Sequence, residues 1–146
     1  KKEEAEQYLA TCLNALREEQ KRLQEMEEEL DRMIAKREAK MREYAEKSMR
    51  GEMSAQGVVG ANVDIERLME QEEAQKSAIE GQYGVIRQRQ EDVDGARQDV
   101  VVATQDLQAL EKHREKWEEE VKRERMVKEE NRMDEIAQAI HRAKNS

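Results

Sequence analysis

The sequence predicts an all-α protein in which two long helices form an antiparallel coiled-coil hairpin and the second helix is the longer. Three observations support this fold class. Charged residues make up 42% of the 146 residues, the chain has no proline, and apolar side chains recur every seven residues over most of its length. Such a composition and period are typical of coiled coils, whereas disordered chains lack a period. Aromatic residues are only 3% of the chain, which is too few for a large globular core.

Helix one is predicted over about residues 1–50. Its apolar stripe follows a seven-residue spacing with one polar interruption and consists of Leu9, Leu16, Leu23, Leu30 and Tyr44. Side chains with this spacing lie along one face of a helix and pack against a partner helix.

A loop is predicted over residues 51–61, where Gly51, Gly57 and Gly60 interrupt the pattern. Helix two is predicted over about 62–143, with Asn62 or Asp64 as its N-cap, since both residue types accept hydrogen bonds from the first free backbone N–H groups. The three elements are expected to form one domain, 1–146. The apolar stripe of helix two is again spaced by seven residues with one interruption, and it consists of Ile65, Ile79, Ile86, Val93, Val100 and Leu107.

Two other arrangements compete with this hairpin. A parallel dimer of one continuous helix would place the three loop glycines inside a helix, where each costs about 1 kcal/mol relative to alanine. A turn at Gly81–Gly84 would interrupt a stripe that keeps its phase from Ile79 to Ile86. We therefore favour a single turn between residues 51 and 61.

The register of the hairpin is predicted by folding the chain at this loop. Facing residues then have numbers that sum to about 112, so that Leu16 meets Ala96 and Met26 meets Ile86. In this register each stripe of one helix faces a stripe of the other, as an antiparallel pair requires. Lys40 also faces Glu72, which matches two polar interruptions of opposite charge.

At 1.5 Å per residue helix one spans about 75 Å and helix two about 120 Å, so residues 112–143 are predicted to form a C-terminal overhang. Because the chain begins with Lys1 rather than methionine, we expect a few natural residues to precede it; these, or a second chain, are the alternative partner for the start of the overhang. An apolar stripe without an internal partner indicates a binding surface. The predicted partner-binding residues are six apolar and three basic side chains: Trp117, Val121, Met126, Met133, Ile136, Ile140, Arg114, Arg123 and Arg125.

The sequence carries no signature of catalysis, of a cofactor or of a metal site. It has no glycine-rich phosphate loop, HExxH motif or serine elbow, and Cys12 is its only cysteine. Its basic residues alternate with acids and lack stacking aromatics, which argues against nucleic-acid binding. No apolar run approaches the length of a membrane span. We therefore expect a non-enzymatic protein, and the single thiol without a signal sequence fits a reducing cytosol.

The segment Leu107–Asp134, LQALEKHREKWEEEVKRERMVKEENRMD, has one aromatic residue among lysines, arginines and glutamates. Together with the proline-free hairpin and the longer second helix, it resembles the YscO/FliJ family of type III secretion, and the YscO (injectisome) branch more than flagellar FliJ. The resemblance covers the whole chain in layout but contains no residue motif that assigns individual contacts.

This resemblance implies a stalk-like protein in the cytoplasm at the base of the secretion apparatus. Its expected partners are the hexameric export ATPase, the substrate chaperones and a component of the export gate. The overhang 112–143 and the paired end near Lys1 would contact the ATPase, and the loop end would point away. Two other function classes stay open at this point, a structural coiled-coil spacer or tether and a chaperone-like helical hairpin with exposed apolar tips.

Overall fold

A computed structural model describes residues 1–145 and contains two α-helices in this range, α1 (Lys2–Met49) and α2 (Ala55–Asn145), with no β-strand. The residues that dominate both helices, Ala, Glu, Lys, Gln and Arg, are all good helix formers. The two helices pack against each other as an antiparallel pair, and α2 is the longer. The predicted all-α hairpin is therefore confirmed.

The contacts between Cα atoms divide the chain into two compact units. One unit is residues 3–98, which contains the turn and both helices of the hairpin (hereafter the hairpin unit). The other unit combines Lys1 and Lys2 with the chain from Asp99 onward.

The turn between the helices is short and uses one glycine for its conformation. Gly51 has a φ of +69°, a backbone angle that L side chains rarely adopt. Its N–H donates to the carbonyl of Ser48 at 3.1 Å, and the N–H of Glu52 donates to the carbonyl of Lys47 at 3.0 Å. This pair of bonds is the Schellman motif, which satisfies the last free carbonyls of α1 and ends the helix.

The start of α2 differs from the prediction. The helix begins at Ala55, seven residues before the predicted residue 62, and its cap is Ser54 rather than Asn62 or Asp64. The Ser54 hydroxyl accepts a 3.0 Å hydrogen bond from the backbone N–H of Gly57, which is the usual geometry of a serine N-cap. Gly57 and Gly60 therefore lie inside the first turns of the helix instead of in the loop.

Neither competing arrangement is present in the structure. The turn at residues 50–54 excludes one continuous helix, and α2 runs through Gly81 and Gly84 without a break. A Cβ atom added at either glycine would meet nothing within 4 Å. Close approach of another part of the described chain is therefore not the reason for glycine at these two positions.

The tightest packing in the hairpin unit lies far from the turn. Cys12 and Leu16 of α1 form a buried cluster with Val93 and Ala96 of α2, and Val93 has no exposed surface at all. Leu9, Leu13 and Ile86 pack around this cluster. The predicted neighbours Leu16 and Ala96 thus share one cluster.

The register of the helices differs from the prediction by about one heptad. The register can be expressed as the sum of the numbers of two facing residues, which was predicted to be 112. For the pairs that hydrogen bonds join across α1 and α2, this sum lies between 101 and 110. For Met49 and Ala55, the helix ends at the turn, it is 104. The carbonyl of Met26 accepts a bond from Gln75, so Met26 does not lie beside Ile86 as predicted. The joining pairs are Glu19–Gln82, Met26–Gln75, Glu27–Tyr83, Arg37–Glu72 and Tyr44–Asp64.

Glu72 pairs with Arg37 rather than with the predicted Lys40. The Arg37 Nε donates to Glu72 Oε2 at 2.6 Å, and the Glu72 side chain is only 6% exposed. The hydrogen bond to Glu72 raises the pKa of Arg37. Burial of a carboxylate is unfavourable unless a cation pairs with it, so this contact holds Glu72 within the helix interface.

A second polar group stabilises the end of the hairpin near the turn. The Tyr44 hydroxyl donates to Asp64 Oδ2 at 2.7 Å, and Arg67 donates to Asp64 Oδ1 at 2.7 Å. The hydrogen bond from Tyr44, followed by that from Arg67, holds the pKa of Asp64 below its ordinary value. The same bond raises the pKa of Tyr44.

Candidate partner-binding surface

The C-terminal part of α2 presents nearly all of its side chains to the surface. Between residues 105 and 145 every residue is exposed except Val121, which is half-buried. This stretch is one uninterrupted helix with no proline or glycine, and its last turn carries Arg142 and Lys144, which interact favourably with the negative end of the helix dipole.

The apolar residues of the predicted surface are accessible in the structure. Trp117 is 61% exposed, and the exposed fractions of the other large apolar residues are 51–65%. Large apolar side chains that share one face of an exposed helix form a patch, and contiguous apolar patches commonly mark interaction sites. These accessible residues are Trp117, Met126, Met133, Ile136 and Ile140.

Helix geometry separates these side chains into two faces. Trp117 and Val121 are one turn apart and define the first face. At 3.6 residues per turn, the second face is rotated from the first by about 125°. The second face consists of Met126, Met133, Ile136 and Ile140.

Two leucines extend the first face, and sequence reasoning missed them. Leu107 is 41% exposed and Leu110 is 66% exposed; Leu110 lies one heptad before Trp117, and Leu107 lies two heptads before Val121. The predicted register covered both leucines with the start of helix one and therefore removed them from the candidate surface. Their place in the heptad pattern identified their face correctly but could not show whether that face was covered.

The three arginines of the predicted surface lie at different angles around the helix. Arg114 lies one heptad before Val121 on the first face, and its Nε pairs with Glu118 at 3.4 Å on the exposed surface. Arg125 lies between the two apolar faces, whereas Arg123 points to a side of the helix that neither face occupies. Of the nine predicted residues, Arg123 therefore lies farthest around the helix from the two apolar faces.

The described residues contain no cluster of three His, Cys, Asp or Glu side chains that could hold a metal ion. No helix within residues 1–145 combines the length and the apolar character needed to cross a membrane. The exposed helical side chains of this surface offer apolar contact, ion pairing and hydrogen bonding.

The whole chain, residues 1–146, matches the family model of the YscO-like proteins. The chain belongs to the YscO-like family. The predicted resemblance is thereby confirmed, and membership places the chain among the proteins associated with type III secretion. No curated protein and no solved structure matches the chain.

Proposed function

We propose that this YscO-like protein acts as a non-enzymatic stalk and escort of a type III secretion system. In this role it works in the cytoplasm at the base of the apparatus. It binds the hexameric export ATPase, the chaperones of secreted substrates and a component of the export gate, and it thereby promotes export. Family membership supports the secretion role, and the arrangement of exposed side chains supports binding to other proteins.

The observation that carries this proposal is the exposed apolar surface on residues 112–143 (hereafter the C-terminal segment). An isolated helix with this density of charge would be soluble without Trp117, Ile136 or Ile140. Exposed large apolar residues add nothing to the stability of such a helix, since they are not buried in the described chain. They become favourable when a partner buries them.

The export ATPase is the partner that the proposal assigns to the C-terminal segment. Interface energy usually concentrates in a few residues, with tryptophan and arginine prominent among them. Trp117, with Arg114 one turn before it, has this composition on the first face. On the second face, Ile136 is the central apolar residue, with Met133 and Ile140 within one turn on either side.

Binding of the purified chain to the cognate export ATPase, measured by calorimetry, tests the proposal. We expect Trp117→Ala and Ile136→Ala each to weaken binding about 30-fold, because truncation of an anchor costs about 2 kcal/mol or more. Thermal unfolding of both variants should stay close to that of the natural chain, since both side chains are more than half exposed.

Val127→Ala is the matched control. Val127 is 54% exposed, lies in the same charged segment and belongs to neither apolar face. Its truncation should leave ATPase binding unchanged. The proposal is refuted if removal of residues 112–146 leaves ATPase binding and secretion intact. The assignment to the two faces is refuted if Val127→Ala weakens binding as much as Trp117→Ala.

A further inference from the structure

The hairpin unit satisfies its apolar pattern in more than one register. In the structure, facing residue numbers sum to about 105, whereas folding at the glycine patch gives about 112. The two values differ by one heptad, so the same side chains of α1 and α2 face inward in both. Ile79, for example, faces Met26 in the structural register and Met33 in the other.

Two of the polar contacts across the interface, those to backbone carbonyls, have equivalents in the second register, whereas the side-chain bonds of Tyr44 with Asp64 and of Tyr83 with Glu27 do not. Gln75 and Gln82 donate to the backbone carbonyls of Met26 and Glu19, and a carbonyl is present seven residues further along α1 in each case. Contacts to backbone atoms do not depend on the side chain at the new position. They can therefore re-form after a shift of one heptad.

Glu72 keeps a cationic partner in both registers. In the structure it pairs with Arg37; after a shift of seven residues Tyr44 takes the place of Arg37, and Lys40, one turn earlier in α1, becomes the nearest cation. The present ion pair of Lys40 is a 3.9 Å contact with Glu43, and both side chains are more than one third exposed. Exposed ion pairs of this type contribute little to stability, so Lys40 loses little when it changes partner.

The sequence around the turn allows this shift in one direction. Reaching the second register requires that Ala55–Ala61 leave the helix, and this segment contains Gly57 and Gly60. A Cβ atom at Gly60 would meet nothing within 4 Å and its φ is not positive, so neither packing nor backbone geometry requires glycine there. What glycine does at this position is weaken the helix.

A shift in the opposite direction would unwind the last seven residues of α1, 43–49. That segment has no glycine, whereas Ala55–Ala61 has two; the bond between Tyr44 and Asp64 breaks in either direction and does not distinguish them. The two ends of the turn are therefore unequal, because only the α2 side has glycines among the seven residues that must unwind, although the Ser54 cap and the buried Ala61 oppose this unwinding.

We propose that the hairpin unit is a sliding device with two interhelical registers one heptad apart. It moves between them by unwinding Ala55–Ala61, which displaces α1 along α2 by about 10 Å, seven residues at 1.5 Å each. A partner that binds the unwound segment stabilises the second register, because it binds one of two states more tightly. Binding near the turn is thereby transmitted along the hairpin as a translation of one helix.

Disulfide formation tests the two registers with one fixed position. In a Cys12→Ser background, Ile79→Cys is combined in turn with Met26→Cys, Met33→Cys or Glu19→Cys. These pairs report the structural register, the proposed second register and the opposite shift. A disulfide requires Cα atoms within about 7 Å, so a 10 Å displacement allows one pair at a time. The amount of disulfide is measured at equilibrium in a glutathione buffer, at a chain concentration low enough to suppress links between chains.

We expect the pair with Met26→Cys to form the most disulfide, the pair with Met33→Cys to form an intermediate amount and the pair with Glu19→Cys to form the least. Met26 and Met33 are the same residue type and are both half-buried, so the comparison isolates the register. The proposal is overturned if Met33→Cys gives no more disulfide within one chain than Glu19→Cys does.

A glycine substitution provides the second measurement. Gly60→Ala should reduce the amount of disulfide in the Met33→Cys pair about fivefold. Alanine stabilises a helix by roughly 1 kcal/mol relative to glycine, which makes the unwound register less populated. Gly84→Ala is the matched control, because Gly84 also lies in open space within α2 but outside the segment that unwinds. Equal effects of the two substitutions would overturn the proposed role of Ala55–Ala61.

Discussion

Val93 offers the most direct test of packing in the hairpin unit, because it is the largest side chain that is completely buried. Val93→Ala removes two methyl-sized groups, worth about 1.6 kcal/mol at roughly 0.8 kcal/mol each. The cavity left behind adds on the order of 1 kcal/mol if its walls do not collapse. Alanine has a higher helix preference than valine, which offsets about 0.5 kcal/mol of this loss. The expected loss of stability is therefore about 2 kcal/mol.

Chemical denaturation followed by far-UV circular dichroism measures this loss. The slope of the unfolding free energy against denaturant should stay constant while the midpoint falls, since the buried surface of the rest of the hairpin is unchanged. In thermal unfolding, the midpoint should fall by about 8–16 °C for a unit of this size.

Val63→Ala is the matched control, since Val63 is a valine of the same helix and the same unit but is 59% exposed. It should change stability by no more than about 0.5 kcal/mol. If Val93→Ala costs no more than Val63→Ala, then α1 and α2 do not pack at the cluster of Cys12, Leu16 and Ala96, and the register derived above is wrong.

Three further predictions concern the polar contacts and the turn. Arg37→Met should lower the unfolding midpoint because it leaves the Glu72 carboxylate without its cation, and Arg37→Met combined with Glu72→Leu should restore it, as measured by denaturation of both variants. The pKa of Asp64 is lower in the folded state than its ordinary value near 4, so the Asp64 carboxylate stabilises the fold above about pH 4. This stabilisation is lost as the pH falls through the folded pKa, and Asp64→Asn should therefore flatten the acid limb of a plot of unfolding free energy against pH. Gly51→Ala should cost about 1–2 kcal/mol because of the positive φ, whereas Gly84→Ala should stabilise the chain by up to about 1 kcal/mol, and thermal unfolding distinguishes the two signs.

Much of the fold could be predicted from local features of the sequence. The absence of proline, the helix-forming composition and the seven-residue spacing of Leu9, Leu16 and Leu23 indicate a long helix without reference to the rest of the chain. Gly51 marks the end of α1 because a positive φ favours glycine. The unbroken phase from Ile79 to Ile86 correctly predicted helix through Gly81 and Gly84.

The start of α2 could not be predicted in the same way. Gly57 and Gly60 have low helix preference, which favoured a loop over 51–61. In the structure, the Ser54 cap and the packing of Ala61, which is 8% exposed, outweigh that preference. The balance depends on tertiary contacts, which a local pattern does not contain.

The candidate surface could likewise be predicted only in part from the sequence. The sequence predicted that Trp117, Met126 and Ile136 lack a partner within the chain, and the structure shows each of them exposed. It did not identify Leu107 and Leu110, because their exposure depends on the register of the two helices. Whether the export ATPase covers these residues stays a prediction.

The sequence by itself determined which side chains of each helix face inward, because that choice depends only on a spacing of seven along one chain. It also determined that the helices are antiparallel once the chain turns back at a glycine. Only the tertiary structure decided the register. A translation of one helix by one heptad leaves the same side chains facing inward. The apolar pattern is therefore satisfied equally whether the numbers of facing residues sum to 105 or to 112. The choice between them came from contacts between distant residues, Arg37 with Glu72 and Tyr44 with Asp64, and from a cap at Ser54 that shortens the turn.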